Sequence, residues 1–293
     1  MADKYHDTVA KSQVTVDDAK IAAEVAKITA KVPEFRSPEA LRLLFSCIDL
    51  TTLRSTNSPR SIAEFTERVN AFENEHGDLP SVAAICVYPN FAQVVRTVLE
   101  VSEVEIACVA GGFPSSQTFP EVKVAETALA VEGGADEIDV VMNLGDFLDG
   151  DWEEVTDELG EIKHSCRDAR LKVILETGAL KTSENIRAAS ILAMYSGADF
   201  IKTSTGKEFP GASAQAAYVM CKCIKEYHAA TGRKVGFKAA GGITTADEAM
   251  VYYAIVKEVL GDEWLTNEYF RIGASRLANN LLTEITGEET KFF

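Results

Sequence analysis

Short apolar runs alternate with longer amphipathic segments along most of the chain. Eight apolar runs occur, at residues 44–50, 82–87, 106–110, 137–142, 171–175, 199–204, 234–238 and 269–272. Apolar residues recur at helical spacing in segments 59–76, 89–101, 120–133, 152–169, 183–196, 213–230, 244–260 and 275–286. Prolines near the starts of several segments and glycines near their ends are typical of helix boundaries. The pattern therefore predicts eight strands that alternate with eight helices.

This alternation predicts the fold. Strands joined through helices pair in parallel, because each crossover helix returns the chain to the same end of the sheet. Nearly continuous apolar strands indicate a sheet that is buried on both faces. Eight such units in about 250 residues predict an α/β fold, the TIM (β/α)8 barrel. The alternative is a doubly wound open sheet, which should carry a G-x-G-x-x-G turn after an early strand, and the sequence contains no such turn.

The residues before the first strand have a different pattern. Residues 1–12 are polar and predicted to be frayed, whereas Val16, Ile21, Val25 and Ile28 have the spacing of an amphipathic helix that ends before Pro33. We therefore predict an N-terminal helical extension over residues 1–40 and a barrel domain over residues 41–290. The apolar stripe of the extension should pack on the outside of the barrel or in a dimer contact, away from catalysis.

Composition narrows the possible partners. The chain has 293 residues, with 29 Lys and Arg against 45 Asp and Glu, which gives a net charge of −16. A surface this acidic repels nucleic acid and anionic membranes, so neither is expected as a partner. No run reaches the roughly 20 apolar residues of a membrane helix, and the N-terminus lacks a secretory signal pattern. Six cysteines without a C-x-x-C pair favour reduced thiols in the cytoplasm.

Two lysines lie at the ends of apolar runs. Lys202 lies within the sixth run and Lys238 ends the seventh. Neighbouring parallel strands are about 4.8 Å apart, so these two amines should approach each other closely. Burial and a second ammonium group both lower a lysine pKa from about 10.4, which leaves one amine neutral and nucleophilic. The pair therefore indicates Schiff-base chemistry, although either lysine alone is more simply explained as a snorkelling strand-end residue.

Two carboxylates accompany the lysines. Asp139 has apolar neighbours on both sides in the fourth run and needs a cation or hydrogen-bond donors, for which the two lysines are candidates. A structural lysine or a backbone turn is the alternative partner. Asp49, in the first run, is equally compatible with an inward-facing carboxylate and with a helix cap.

Glycine-containing loops follow the sixth, seventh and eighth strands. They contain Gly206, the Gly241–Gly242 pair and Gly273, and the last two lead directly into helices. Such loops let backbone N–H groups approach an anion, and this corner of TIM barrels commonly holds a phosphate. The four histidines do not fall at strand ends, and no metal-binding signature occurs. We therefore expect a phosphate pocket and no metal.

Six motifs, in chain order, resemble those of the deoxyribose-phosphate aldolase family, over residues 43–283. They are Asp49-Leu-Thr-Thr-Leu53, Ala84-Ile-Cys86-Val-Tyr-Pro89, Asp136-Glu-Ile-Asp139-Val-Val, Asp199-Phe-Ile-Lys202-Thr-Ser-Thr-Gly-Lys207, Val235-Gly-Phe-Lys238 with Ala240-Gly-Gly242, and Phe270-Arg-Ile-Gly-Ala-Ser275. The resemblance implies a class I aldolase on a TIM barrel, free of metal and cofactor. Such enzymes cleave 2-deoxy-D-ribose 5-phosphate reversibly to D-glyceraldehyde 3-phosphate and acetaldehyde.

The resemblance also implies residue roles. Lys202 would form the Schiff base, and Lys238 would perturb that amine and share proton transfer with Asp139. The implied substrate-binding residues are Asp49, Thr51, Cys86, Thr203, Gly206, Lys207, Gly241, Gly242, Gly273, Ser275 and Arg276. The expected partners are a sugar phosphate and small aldehydes, with a homodimer as a possible assembly. Two alternatives stay open: another Schiff-base aldolase or transaldolase, and a catalytically silent sugar-phosphate-binding protein.

The sequence departs from the family pattern at four places. Ala239 replaces a common Pro, Thr244 stands where Arg is usual, and Arg276 stands where Ser or Thr is usual. We hypothesise that Arg276 supplies the missing phosphate cation from the neighbouring loop and that the Thr244 hydroxyl adds a donor. The chain ends in Phe292-Phe293, so the role of the C-terminal tyrosine found in some members is not carried over.

Overall fold

The computed structural model describes residues 4–293 and contains a closed barrel of eight parallel strands. The strands are β1 (Ile48–Thr51), β2 (Ala84–Val87), β3 (Glu105–Ala110), β4 (Glu137–Val141), β5 (Arg170–Ile174), β6 (Phe200–Lys202), β7 (Gly236–Ala240) and β8 (Phe270–Ala274). Each strand pairs with the next along the chain, and β8 closes the barrel by pairing with β1. The predicted TIM barrel is confirmed.

Helices surround the barrel. In chain order they are α1 (Lys4–Ala10), α2 (Asp18–Ala30), α3 (Val32–Phe35), α4 (Pro38–Ser46), α5 (Pro59–Glu75), α6 (Ala92–Val98), α7 (Pro120–Glu132), α8 (Leu144–Asp149), α9 (Trp152–Ser165), α10 (Thr177–Leu180), α11 (Ser183–Tyr195), α12 (Ala214–Thr231), α13 (Ala246–Val259) and α14 (Arg276–Thr286). Short 3₁₀ helices occupy Pro89–Phe91 and Asp262–Trp264. Ser and Thr side chains cap α4, α5, α11, α12 and α13, which explains why their starts were readable from sequence.

Two local predictions were wrong. The apolar pattern predicts one strand over residues 44–50, but the first of these residues complete α4 and β1 starts only at Ile48. The Ser37 hydroxyl caps α4, and Leu44 and Phe45 are buried on its inner face. The N-terminal region was predicted to be frayed, yet residues 4–10 form α1 with Val9 buried. Residues 1–3 lie outside the described part of the chain.

The extension packs on the outside of the barrel. Ile21, Val25 and Ile28 of α2 are buried in the common hydrophobic core. A hydrogen bond of 2.6 Å from the Ser183 hydroxyl to Asp18 Oδ1 ties α2 to the start of α11. Because α4 spans residue 40, the division into an extension and a barrel domain stays a prediction.

The barrel interior is divided between apolar and charged side chains. Small apolar residues of β2 and β3 form one buried cluster, which contains Ala84, Cys86, Ala107 and Val109. The other strands bring charged side chains into the interior. Gly236 makes room in β7, since a Cβ atom there would lie only 2.3 Å from the Phe200 ring. The charged part of the interior lies directly below the loops at the carboxyl ends of the strands.

Candidate active site

Lys202, the last residue of β6, meets Lys238, the central residue of the neighbouring strand β7. They are directly paired in the register of β6 and β7. Each Nζ donates to the same atom, Asp139 Oδ2, over 2.7 Å. The two lysine nitrogens therefore lie within twice that distance of each other. The structure brings together the three residues that the sequence assigned to catalysis.

Four further charged side chains extend this cluster across the barrel. Arg271 donates from Nη1 to Asp49 Oδ1 over 2.7 Å and from Nη2 to Glu137 Oε1 over 3.0 Å. Lys172 donates to Asp49 Oδ2 over 2.9 Å and also contacts Glu137. Lys238 binds the same Asp49 carboxylate. Asp49 therefore faces inward, which decides between the two alternatives for this residue.

The seven side chains carry unequal numbers of opposite charges. They are Asp49, Glu137, Asp139, Lys172, Lys202, Lys238 and Arg271, and all are buried. Four are cationic and three anionic when fully ionised, so an excess positive charge lies in a medium where uncompensated charge is costly. Lys202 has a single carboxylate partner, whereas each of the other cations contacts at least two. Loss of one proton from Lys202 balances the cluster.

The pKa shifts of the two lysines run in opposite directions. Burial and the nearby Lys238 ammonium lower the pKa of Lys202 despite the attraction of Asp139. Burial also disfavours the charged form of Lys238, but Asp139 and Asp49 outweigh this and raise its pKa. Lys202 is thus the amine that loses its proton most readily, and Lys238 stays an ammonium ion.

The neighbouring ammonium groups shift the pKa of Asp139. Burial alone would raise the pKa of Asp139, but the ammonium groups of Lys172, Lys202 and Lys238 hold it below its usual range. Asp139 Oδ1 has no hydrogen-bond partner among the described residues. The ionised carboxylate holds Lys202 and Lys238 through Oδ2, and Lys172 Nζ lies 3.5 Å from Oδ1, which is able to accept a hydrogen bond from a water molecule.

A cavity of about 590 Å³ opens above Lys202 at the carboxyl ends of the strands. It is lined by Lys202, Arg54, Arg68, Lys207 and Arg276, and among the described residues no Asp or Glu side chain lines it. In a protein with a net charge of −16, such a wall attracts an anionic ligand locally against the overall field.

Close loop packing forms the floor of the cavity. Gly241 has a φ of +88°, and a Cβ atom there would lie 2.9 Å from the Gly211 Cα. At Gly273 a Cβ atom would lie 3.2 Å from Lys238 Cε. Glycine at these positions allows the loops after β6 and β7 to touch and leaves space for the Lys238 side chain.

The predicted substrate-binding residues divide into two groups. The cavity wall contains Thr51, Gly206, Lys207, Gly241, Gly242, Gly273, Ser275 and Arg276. The structure does not bring Asp49, Cys86 or Thr203 to this wall. The Thr203 hydroxyl donates to the Ala240 carbonyl over 3.2 Å, and Cys86 is buried in the apolar cluster, where burial raises the pKa of its thiol.

Arg276 and Thr244, which depart from the family pattern beside the predicted phosphate pocket, have different surroundings. Arg276 lies at the start of α14, is exposed, and has no ion-pair partner among the described residues. The Thr244 hydroxyl instead donates to Glu248 Oε2 over 3.1 Å. Thr244 also lines the cavity, and the hypothesis that its hydroxyl adds a donor to phosphate stays a prediction.

The sequence did not predict several residues of the site. Glu137, Lys172 and Arg271 complete the charged cluster, and Glu176 is a buried carboxylate just after β5. A signal existed for the first three: each is a charged residue inside a buried strand, and Glu137 alternates with Asp139 on one face of β4. Glu137, Lys172 and Arg271 lie in the first, second or middle positions of their strands, away from the carboxyl ends where a TIM barrel places its active site.

Residues 4–293 contain neither a metal site nor a membrane-spanning helix. No group of three or more His, Cys, Asp or Glu side chains is arranged to hold a metal ion. No helix is long and apolar enough to cross a membrane. The six cysteines are all free and buried.

Comparisons with known proteins give one consistent result. The model of the DeoC/LacD family aldolases matches residues 46–278. The deoxyribose-phosphate aldolases of Bos taurus and Homo sapiens are each 40% identical, over 286 and 288 residues, and each match covers 94% of this chain and 90% of the relative. The tetrameric deoxyribose phosphate aldolase of Aeropyrum pernix has the same fold, with a TM-score of 0.68 at 24% identity over 88% of this chain and 96% of that one.

Proposed function

The chain belongs to the DeoC/LacD family of aldolases, and we propose that it cleaves 2-deoxy-D-ribose 5-phosphate reversibly to D-glyceraldehyde 3-phosphate and acetaldehyde. It is a lyase, and its proposed covalent intermediate is a Schiff base on Lys202. The observation that carries this assignment is the buried Lys202 amine, which has a lowered pKa and opens onto a cavity lined by cations.

The first steps require a neutral amine. Lys202 attacks the C1 aldehyde of the open-chain sugar phosphate, and the carbinolamine loses water to form an iminium ion. The iminium then carries the positive charge that Lys202 gave up as an ammonium ion. The Asp139 carboxylate, already 2.7 Å from Lys202 Nζ, is placed to stabilise that charge.

Carbon–carbon cleavage requires a proton acceptor. The C2–C3 bond, β to the iminium carbon, breaks when the C3 hydroxyl loses its proton. We assign this transfer to a water molecule held by Asp139 and the Lys238 ammonium, which passes the proton to the ionised Asp139 carboxylate. The two-carbon fragment remains on Lys202 as an enamine, and protonation at C2 followed by hydrolysis releases acetaldehyde.

The phosphate group fits the outer part of the cavity. Lys207, Arg276 and the loops of Gly206, Gly241–Gly242 and Gly273 surround this region. Lys207 Nζ donates to the Leu53 carbonyl over 2.7 Å, so the side chain reaches across the mouth from the β6 loop to the β1 loop. A phosphate between these loops would replace that carbonyl as the partner of Lys207.

Borohydride reduction in the presence of acetaldehyde tests the assignment. We expect a two-carbon adduct on Lys202 in the wild type and none at that position in Lys202→Met. Failure of the wild type to form the adduct would favour a silent binding protein. Turnover of a different chain length, without activity on 2-deoxyribose 5-phosphate, would favour another Schiff-base aldolase or transaldolase.

Assembly and location extend the proposal. We expect a homodimer through the exposed face of α7, where Phe119, Val122 and Leu129 are 74%, 48% and 67% exposed. Light scattering should give a dimer for the wild type and a monomer for Leu129→Glu.

Free cysteines agree with a reducing compartment, so we expect the protein in the cytoplasm, which fractionation of the source cells would test.

A further inference from the structure

Glu176 is a buried acid that the proposed chemistry does not use. It follows β5 and is only 2% exposed. Its backbone has a φ of +51°, a left-handed conformation that residues other than glycine rarely adopt. Such a conformation persists only where surrounding contacts hold it. The Glu176 carboxylate makes contacts of this kind with Thr205.

The carboxylate holds one residue of the anion-binding loop through two donors. The Thr205 N–H donates to Glu176 Oε1 over 3.2 Å, and the Thr205 hydroxyl donates to Oε2. The same Thr205 hydroxyl accepts a hydrogen bond of 3.2 Å from the Lys207 N–H. Glu176 is thus linked through Thr205 to the backbone of Lys207, and residues 205–207 form what we call the 205–207 turn.

The backbones of the two loops are also joined. The Thr177 N–H donates to the Thr203 carbonyl over 2.8 Å, and the Leu175 N–H donates to the Lys202 carbonyl over 2.9 Å. Gly178 packs so closely on Pro210 that a Cβ atom would lie 2.5 Å from the Pro210 carbonyl oxygen. The β5 loop is therefore a rigid support for the loop that follows Lys202.

We propose that Glu176 is a positioning residue that holds the 205–207 turn in the shape that receives the anionic group of the substrate. The inference rests on the proposed function for the identity of that group. Thr205, Gly206 and Lys207 line the cavity, whereas Glu176 does not, so Glu176 acts through the turn and not by touching the ligand.

The sign of the expected effect separates positioning from simple electrostatics. A buried carboxylate near an anion repels it, so removal of the charge in Glu176→Gln would tighten phosphate binding if charge alone mattered. The Thr205 N–H reaches both carboxylate oxygens, over 3.2 Å to Oε1 and 3.4 Å to Oε2. A glutamine side chain has an NH₂ donor in place of one oxygen, so one Thr205 donor would lose its nearer acceptor or face another donor. Loss of positioning therefore predicts weaker binding in the same variant. Glu176→Gln leaves side-chain size and the left-handed backbone preference almost unchanged.

Two measurements test the proposal: binding of inorganic phosphate by calorimetry, and the rate of borohydride-trapped acetaldehyde adduct formation on Lys202. We expect Glu176→Gln and Thr205→Val to weaken phosphate binding at least tenfold, and adduct formation in Glu176→Gln to stay within threefold of the wild type. Thr205→Ser keeps the hydroxyl and should bind phosphate as the wild type does.

Three outcomes would overturn the proposal. These are unchanged or tighter phosphate binding in Glu176→Gln, a parallel loss of adduct formation and phosphate binding, and a wild type that forms the adduct but does not bind phosphate. The last would also remove the phosphate from the proposed substrate. A wild type that binds phosphate without forming the adduct would contradict the Schiff-base function alone, and the phosphate arm would still decide the role of Glu176.

Discussion

Replacing Lys238 by methionine tests the electrostatic basis of Lys202 reactivity. The substitution keeps an unbranched side chain of similar length and removes one ammonium group from the buried cluster. The cluster would then hold three cations and three anions, and a protonated Lys202 would be balanced. We therefore expect the variant to fold and the neutral fraction of Lys202 to fall.

The magnitude follows from the shared oxygen. Both lysine nitrogens lie 2.7 Å from Asp139 Oδ2, so their separation is at most about 5.4 Å. Two unit charges at that separation repel by about 3 kcal/mol at an effective dielectric constant of about 20. Since about 1.4 kcal/mol corresponds to a factor of ten, the neutral fraction of Lys202 near pH 7 should fall roughly a hundredfold.

The assay is the pH dependence of acetaldehyde trapping on Lys202 by borohydride. In Lys238→Met the rate should be about a hundredfold lower near neutral pH and should recover as the pH rises, because deprotonation now requires a higher pH. Lys234→Met is the matched control, since Lys234 lies before the same strand but pairs with Glu263 at the surface. An unchanged pH–rate profile in Lys238→Met would show that the two amines are not coupled.

Three further predictions concern stability and the phosphate corner. Asp49→Asn should lower the free energy of unfolding in urea by about 3–5 kcal/mol, because buried cations lose a partner; a loss below about 1 kcal/mol would contradict the ionic network. The pKa of Asp49 is lowered from 3.8 on folding, so its stabilisation should be complete above that pH and lost as the pH falls below it, with a shallower acid transition in Asp49→Asn. Arg276→Ser should weaken binding of the phosphorylated substrate by about 1.5–3 kcal/mol and spare unphosphorylated 2-deoxyribose; equal effects on both would place Arg276 outside the phosphate site. Ile21→Ala should lower the free energy of unfolding by about 2–5 kcal/mol without changing kcat, because Ile21 is buried. The exposed Lys20→Ala is the control, and a selective loss of turnover in Ile21→Ala would link the extension to catalysis.

The fold was predictable because barrel strands are buried on both faces and their helices carry clear caps. The exception, residues 44–50, shows the limit of a hydrophobic pattern. Leu44 and Phe45 lie in the last turn of α4, Ile48 and Leu50 lie in β1, and only Cys47 separates the two elements. A continuous apolar run does not reveal where a helical period changes to an extended one.

The site was predictable where a single charged residue interrupted or ended an apolar run. Lys202, Lys238 and Asp139 follow from charged residues in apolar runs, but the rest of the cluster depends on contacts across the barrel. Arg271 pairs with Asp49 at a separation of 222 residues, and Lys172 pairs with Asp49 at 123. Sequence shows which charges must find partners but not which partners they find.

The geometry of the cluster explains why Lys202, among four buried cations, is the reactive one. Lys172, Lys238 and Arg271 each lie between two or more carboxylates, so removing a proton from any of them would weaken at least two buried ion pairs at once. Lys202 shares its one carboxylate with Lys238, so Asp139 stays compensated when Lys202 is neutral. Of these four cations, Lys202 alone lines the cavity. The cluster therefore places its surplus charge on the amine that can reach substrate, and the iminium restores that charge once the substrate is bound.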